Sequence, residues 1–177
     1  MRISPKNMKW ARIGLEVLGA IFLLGVMGFG AWMLWGNSSN KFNKASRKDV
    51  QFILNWGGLS PNQEYKIISS FESGRTFTGD HLDYYCIELS KFDVAGWAKD
   101  EWHDGPETNP LLSDALQLAV DDAREHGASI PPIEKSNSSA MKIMFPQVVA
   151  RNRQATAADI ILYDPDKKML YYVSFKT

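Results

Sequence analysis

Between Ile13 and Trp35 the chain runs through 23 residues with a single charge, Glu16. At 1.5 Å per residue a helix of that length reaches about 34 Å, against a hydrocarbon core of about 30 Å. Few fates are open to such a stretch. Trp10 stands at one end and Trp32 and Trp35 at the other, where indole rings favour the two membrane interfaces. Glu16 falls about one turn inside, within reach of the headgroups or of Arg12 at i−4. The pattern predicts a transmembrane helix over residues 13–35 that acts as a signal-anchor.

Two rivals are weaker. A cleaved signal peptide has a shorter apolar core and a polar cleavage region. Here Trp32, Met33 and Trp35 occupy that region, and Gly28-Phe29-Gly30 is a poor cleavage site. A domain of this size rarely buries a helix that is apolar on every side. The glycines at 14, 19, 25, 28 and 30 include no pair spaced by four, so the G-x-x-x-G dimer motif is absent.

Charge orients the helix. Arg2, Lys6, Lys9 and Arg12 precede it, which leaves residues 1–36 at a net +3 and the neutral chain's remainder at −3. The N-tail, 1–12, is expected in the cytoplasm and the rest outside it, periplasmic or extracellular, at the cell (inner) membrane. A mildly acidic domain lacks the clustered Lys and Arg that phosphate neutralisation needs, so no nucleic acid is expected as a partner. One cysteine, Cys86, rules out an internal disulfide and a Cys-rich zinc site.

Residues 36–45 read as a polar tether, and 46–177 as one globular domain. Ser46 followed by Asp49 is a capping-box start, with Val50, Ile53 and Leu54 on one face and Gly57-Gly58 at the end. Ser60-Pro61-Asn62 reads as a turn. Strand-like runs follow at Tyr65–Phe71 and Leu82–Ser90, the second alternating Tyr85, Ile87, Leu89 against Tyr84, Cys86, Glu88. An irregular stretch, Asp93–Asn109, leads to Asn109-Pro110, an N-cap followed by proline at the first helical position. The helix it opens carries an apolar stripe from Leu111 to Ala123 and ends at His126-Gly127. Met141–Phe145 and Gln147–Ala150 are short extended pieces. Ala158–Tyr163 and Met169–Phe175, joined by Asp164-Pro165-Asp166-Lys167-Lys168, form a β-hairpin. The expected fold is therefore α+β: one N-terminal transmembrane helix, then a small domain with an antiparallel sheet and about two helices packed on one face.

Two clusters are candidates for function. Arg75, Asp80, His81 and Asp83 share the loop between the first two strands. His81 could serve as a general base oriented by Asp80 or Asp83, which makes a membrane-anchored hydrolase or metal-dependent enzyme the alternative reading. No G-x-S-x-G accompanies them, and Cys86 lies on a strand rather than at a helix N-terminus. The second cluster is Asp100-Glu101-Trp102-His103-Asp104, with Glu107 nearby. It lacks H-E-x-x-H or calcium-loop spacing, while Trp102 and His103 suit a protein contact. The run 121–126 reads as the wet face of its helix, and Arg151 and Arg153 with Lys142 as an exposed segment. No metal and no cofactor is expected. A protein-binding domain without catalysis is the favoured reading, its binding residues Arg75, Asp80, His81, Asp83, Trp102 and His103. An accessory subunit of an envelope complex and an immunity protein are two forms such a module takes. An enzyme would need the two clusters to converge in one pocket.

Overall fold

The computed structural model describes residues 5–36, 39–58, 64–76, 78–90 and 101–177, and within the first helix the side chains of 15–31. The turn read at Ser60-Pro61-Asn62, together with Trp97 and Asp100, lies outside the described residues, as do the side chains of Trp10, Trp32 and Trp35. The chain divides into two compact units after Ser39.

The first unit is helix α1, Pro5–Gly36. Leu18, Phe22 and Leu24 are each more than 60% exposed, and nothing approaches within 4 Å of a Cβ built on Gly19, Gly25, Gly28 or Gly30. Among the described residues no helix is long and apolar enough to cross a membrane. The transmembrane helix expected over 13–35 is corrected to an apolar helix with exposed side chains.

The second unit is mostly β. Its elements are β1 (Lys41–Phe42), α2 (Arg47–Trp56), β2 (Tyr65–Glu72), β3 (His81–Leu89), β4 (His103–Asp104), α3 (Pro110–Glu125), α4 (Ile133–Ser136), β5 (Lys142–Arg151), β6 (Gln154–Asp164) and β7 (Met169–Lys176). The strands form one antiparallel seven-stranded sheet in the order β1-β2-β3-β7-β6-β5-β4.

The helix starts follow from capping. Ser46 donates its backbone N–H and its hydroxyl to Asp49 Oδ2, both at 2.7 Å, and α2 begins there. Asn109 Oδ1 accepts from the Leu111 N–H at 3.0 Å and opens α3. Gly127, at φ +84°, ends it in the left-handed region that glycine enters without strain.

The α+β expectation is corrected in its layering as well. Leu82, Tyr84 and Cys86 of β3 pack with Ala115, Leu116, Ala119, Val120 and Ala123 of α3. Tyr85, Ile87 and Leu89 of the same strand pack with Val50, Ile53 and Leu54 of α2. Successive strand residues face opposite ways, so α2 and α3 cover opposite faces. The half-buried strand read from the alternation of β3 is in fact buried on both sides.

Residues 142–151 are one strand rather than two pieces, continuous through irregularities around Met144–Gln147 and Val149–Ala150. β5 and β6 meet at Asn152-Arg153, at φ +53° and +66°. A two-residue turn with both central residues at positive φ matches the twist of the flanking strands. Arginine is strained there, at a cost of roughly 1 kcal/mol. Arg153→Gly is expected to raise stability by about 0.5–1 kcal/mol, read as a higher urea midpoint with an unchanged slope.

Candidate functional site

Register brings five polar residues into one row across the sheet. Glu72 of β2 lies opposite Asp83 of β3, Asp83 opposite Ser174 of β7, Ser174 opposite Asp159 of β6, and Asp159 opposite Gln147 of β5. The row is on the α2 face, because Asp83 stands two residues before Tyr85. The apolar cluster beneath α2 reaches Tyr85 and Tyr172 and includes no member of the row. On the side of the row away from α2 is a cavity of about 320 Å³, lined by strand residues and the C-terminal Thr177. His81, Gln147, Asp159, Ser174 and Lys176 contribute its polar groups, and Val149 and Ala157 its apolar wall.

Each charge in the row has its own setting. Glu72 accepts from Lys41 Nζ at 2.9 Å and from the Tyr85 hydroxyl at 2.9 Å. Asp83 is buried, and its Oδ2 meets Arg75 Nη2 at 2.5 Å. Burial pushes the Asp83 carboxyl above its ordinary value, while Arg75 and His81 pull the other way. Asp159 Oδ1 accepts from the Tyr172 hydroxyl at 2.7 Å. Burial, then that bond, drives the Tyr172 hydroxyl far above the usual phenol range.

His81 sits at the edge of the cavity. Its Nδ1 is 2.8 Å from the Gly79 carbonyl oxygen, which only accepts, so Nδ1 carries the proton. In the neutral ring Nε2 then accepts from the Ser174 hydroxyl at 3.1 Å. Asp80 is engaged locally. Its carboxylate accepts from Thr78 Oγ1, and its N–H donates to Thr76 Oγ1 at 2.9 Å. It ties the turn that Gly79, at φ +80°, allows.

Trp102 and His103 are elsewhere. Trp102 is partly buried against the α2 cluster. His103 stacks on Phe145, with centroids 5.9 Å apart, and its Nε2 lies 2.8 Å from Glu107 Oε2 without hydrogen-bond alignment. Three strands separate β3 from β4, which puts His81 and His103 at least about 19 Å apart at about 4.8 Å per strand. Glu101 lines a different recess, with Asn55, Trp56 and Met144. So the structure joins Arg75 to Asp83 and seats His81 at a cavity, but it does not bring the two sequence clusters together. Among the described residues, no group of three or more His, Cys, Asp or Glu side chains is arranged to hold a metal ion.

Ser174, Asp159, Gln147 and Lys176 were not candidates from sequence. Their one sequence signal is a polar residue inside an apolar run, Asp159 in Ala-Asp-Ile-Ile-Leu and Ser174 in Tyr-Tyr-Val-Ser-Phe. No protein family, curated protein or solved structure matches this chain.

Cys86 faces α3, and burial lifts its thiol to about 11. A thiol-specific reagent at pH 8 is expected to leave it unmodified in the folded protein and to label one thiol after denaturation. Arg75→Met tests the ion pair. Removing the cation leaves a buried carboxylate charged and alone, at a cost of about 1–3 kcal/mol, kept low because Arg75 is half exposed. Asp83 has a raised folded pKa, so acid relieves the burden of its charge. The Arg75→Met deficit is expected to be largest at neutral pH and to shrink as pH falls through the folded Asp83 pKa. Urea titrations at neutral and acid pH measure it.

Proposed function

We propose that the second unit is a protein-binding domain without catalytic activity, held at a membrane surface by the apolar helix α1. The observation that carries the binding reading is an exposed aromatic ridge on α2, linked to the cavity wall through the buried Tyr172. Phe52 and Trp56 lie one turn apart on α2, remain 36% and 40% exposed, and meet edge to face at 5.1 Å. Phe52 also meets the Tyr172 ring at 5.4 Å, and the Tyr172 hydroxyl reaches Asp159 in the cavity wall. An exposed aromatic pair beside a concave polar recess is the composition of an interface hot spot, where Trp and Tyr dominate binding energy. Membrane attachment is supported by the exposed Leu, Ile and Phe side chains of α1, whose transfer from water to lipid is favourable.

The enzyme reading has one observation in its favour, the Ser174–His81 contact at the cavity edge. Three features weigh against it. β7 is paired by ladders on both sides, so the backbone around Ser174 offers no spare N–H to hold an oxyanion. The His81 Nδ1 proton goes to a carbonyl rather than to a carboxylate that would stabilise the imidazolium. Asp80, the other proposed orienting group, closes its own turn.

Full-length protein cross-linked in its native membranes and purified is expected to carry a specific protein partner. Phe52→Ala combined with Trp56→Ala is expected to weaken that capture by at least about 30-fold, the scale of a hot spot of about 2 kcal/mol or more, with the thermal midpoint little changed. Recovery of no partner, together with a hydrolytic activity that His81→Ala abolishes, would overturn the proposal in favour of the enzyme.

A further inference from the structure

We propose that the cavity beside the polar row receives the cationic end of a lysine or arginine side chain, with Asp159 as its counter-charge; as a statement about a protein partner, this rests on the binding reading above. Three carboxylates stand in the row. Glu72 is matched by Lys41 and Asp83 by Arg75. Among the described residues, Asp159 forms no ion pair, although it is only partly exposed on an interior strand. Tyr172 satisfies one of its oxygens by a neutral hydrogen bond and leaves the charge uncompensated. Lys176, two residues along β7 from Ser174, is the nearest cation by register. Its Nζ is drawn away to the Thr78 carbonyl oxygen at 2.6 Å, on the loop before β3.

The remaining lining suits the rest of such a side chain. Val149 and Ala157 form an apolar wall for its methylene stem. The Gln147 amide oxygen and the Ser174 hydroxyl are neutral acceptors on the residues directly opposite Asp159. A volume of about 320 Å³ is at the small end of ligand sites, which favours one long side chain over a bulky metabolite. Charge-assisted hydrogen bonds in a partly water-excluded recess are among the stronger polar contacts, and an uncharged chain of equal length would forgo them.

The test uses isotope-labelled full-length protein in detergent micelles, titrated with N-acetyl-arginine amide, N-acetyl-lysine amide and the uncharged N-acetyl-norleucine amide, and followed by backbone amide NMR shifts. The two cationic amides are expected to give saturable shifts at Gln147, Asp159 and Ser174, with norleucine at least tenfold weaker. Asp159→Asn keeps an acceptor for Tyr172 and is expected to lose at least tenfold in affinity for the cations. Val149→Trp, at an exposed position on the cavity wall, is expected to block entry without touching the carboxylate. Norleucine binding as tightly as arginine, affinity retained in both variants, or no saturable shift at these residues would overturn the inference. A captured protein partner whose affinity Asp159→Asn leaves unchanged would overturn it too, while leaving the binding reading in place. Saturable arginine binding with no partner recovered would uphold the cavity's chemistry and count against the binding reading.

Discussion

Burial of the central strands on both faces is the constraint from which the rest of the second unit follows. In β3 and β7, and in β6 from Ile160 on, nearly every residue is enclosed, whichever way it points. A sheet of this kind needs a layer on each side, and it has two helices of unequal length to provide them. The 16-residue α3 covers one face along β3, β6 and β7. The 10-residue α2 is about 15 Å long and covers the other only as far as Tyr85 and Tyr172. Where α2 gives out, the strands turn polar: Glu72, Asp159 and Gln147 reach water there, while Asp83 and Ser174 stay buried. The row from Glu72 to Gln147 and the cavity beside it are consequences of a helix too short for its sheet.

The polar row is held together in a way that limits what it can do. Asp83 is buried deeply enough that its charge is disfavoured, and it stays tied to Arg75. Tyr85 and Tyr172 direct their hydroxyls at Glu72 and Asp159, so the ends of two core aromatics are anchored in the row. These bonds fix the row relative to the apolar cluster beneath α2. A group committed to structure in this way is a poor proton shuttle, since moving its proton breaks the packing that positions it. Rigidity of this kind suits recognition, where preformed donors and acceptors reduce the ordering needed on binding.

Local features of the fold were legible, and layering was not. The caps at Ser46 and Asn109, the glycine after α3 and the hairpin around Asp164 are each encoded within four or five residues, and all are present. The β5–β6 hairpin escaped notice because its turn is Asn-Arg, without the glycine that normally signals positive φ. The two-sided burial did leave a trace in the unbroken run Met169–Val173, which shows no polar alternation. Yet such a run does not say which helix lies on which face. α1 illustrates a different limit. Its hydropathy was legible, but what an apolar helix does depends on what covers it, which composition does not specify.

The candidate site was harder to read because it is assembled by register. Arg75, Asp80, His81 and Asp83 drew attention as neighbours in sequence, yet strand alternation and turn chemistry sort them to different tasks: Asp80 to a turn, Asp83 to an ion pair, His81 to the cavity. The residues that complete the cavity come from three other strands, 66 to 95 positions further on than His81. A shift of one residue in the pairing of β6 with β7 would turn Asp159 to the opposite face and bury it against α3. The hairpin turn at Asp164, where the Asp166 and Lys167 N–H groups both donate to Asp164 Oδ1 at 3.1 Å, helps to set that register. A five-residue turn signal that was plain in the sequence thus helps to position a carboxylate whose role was not.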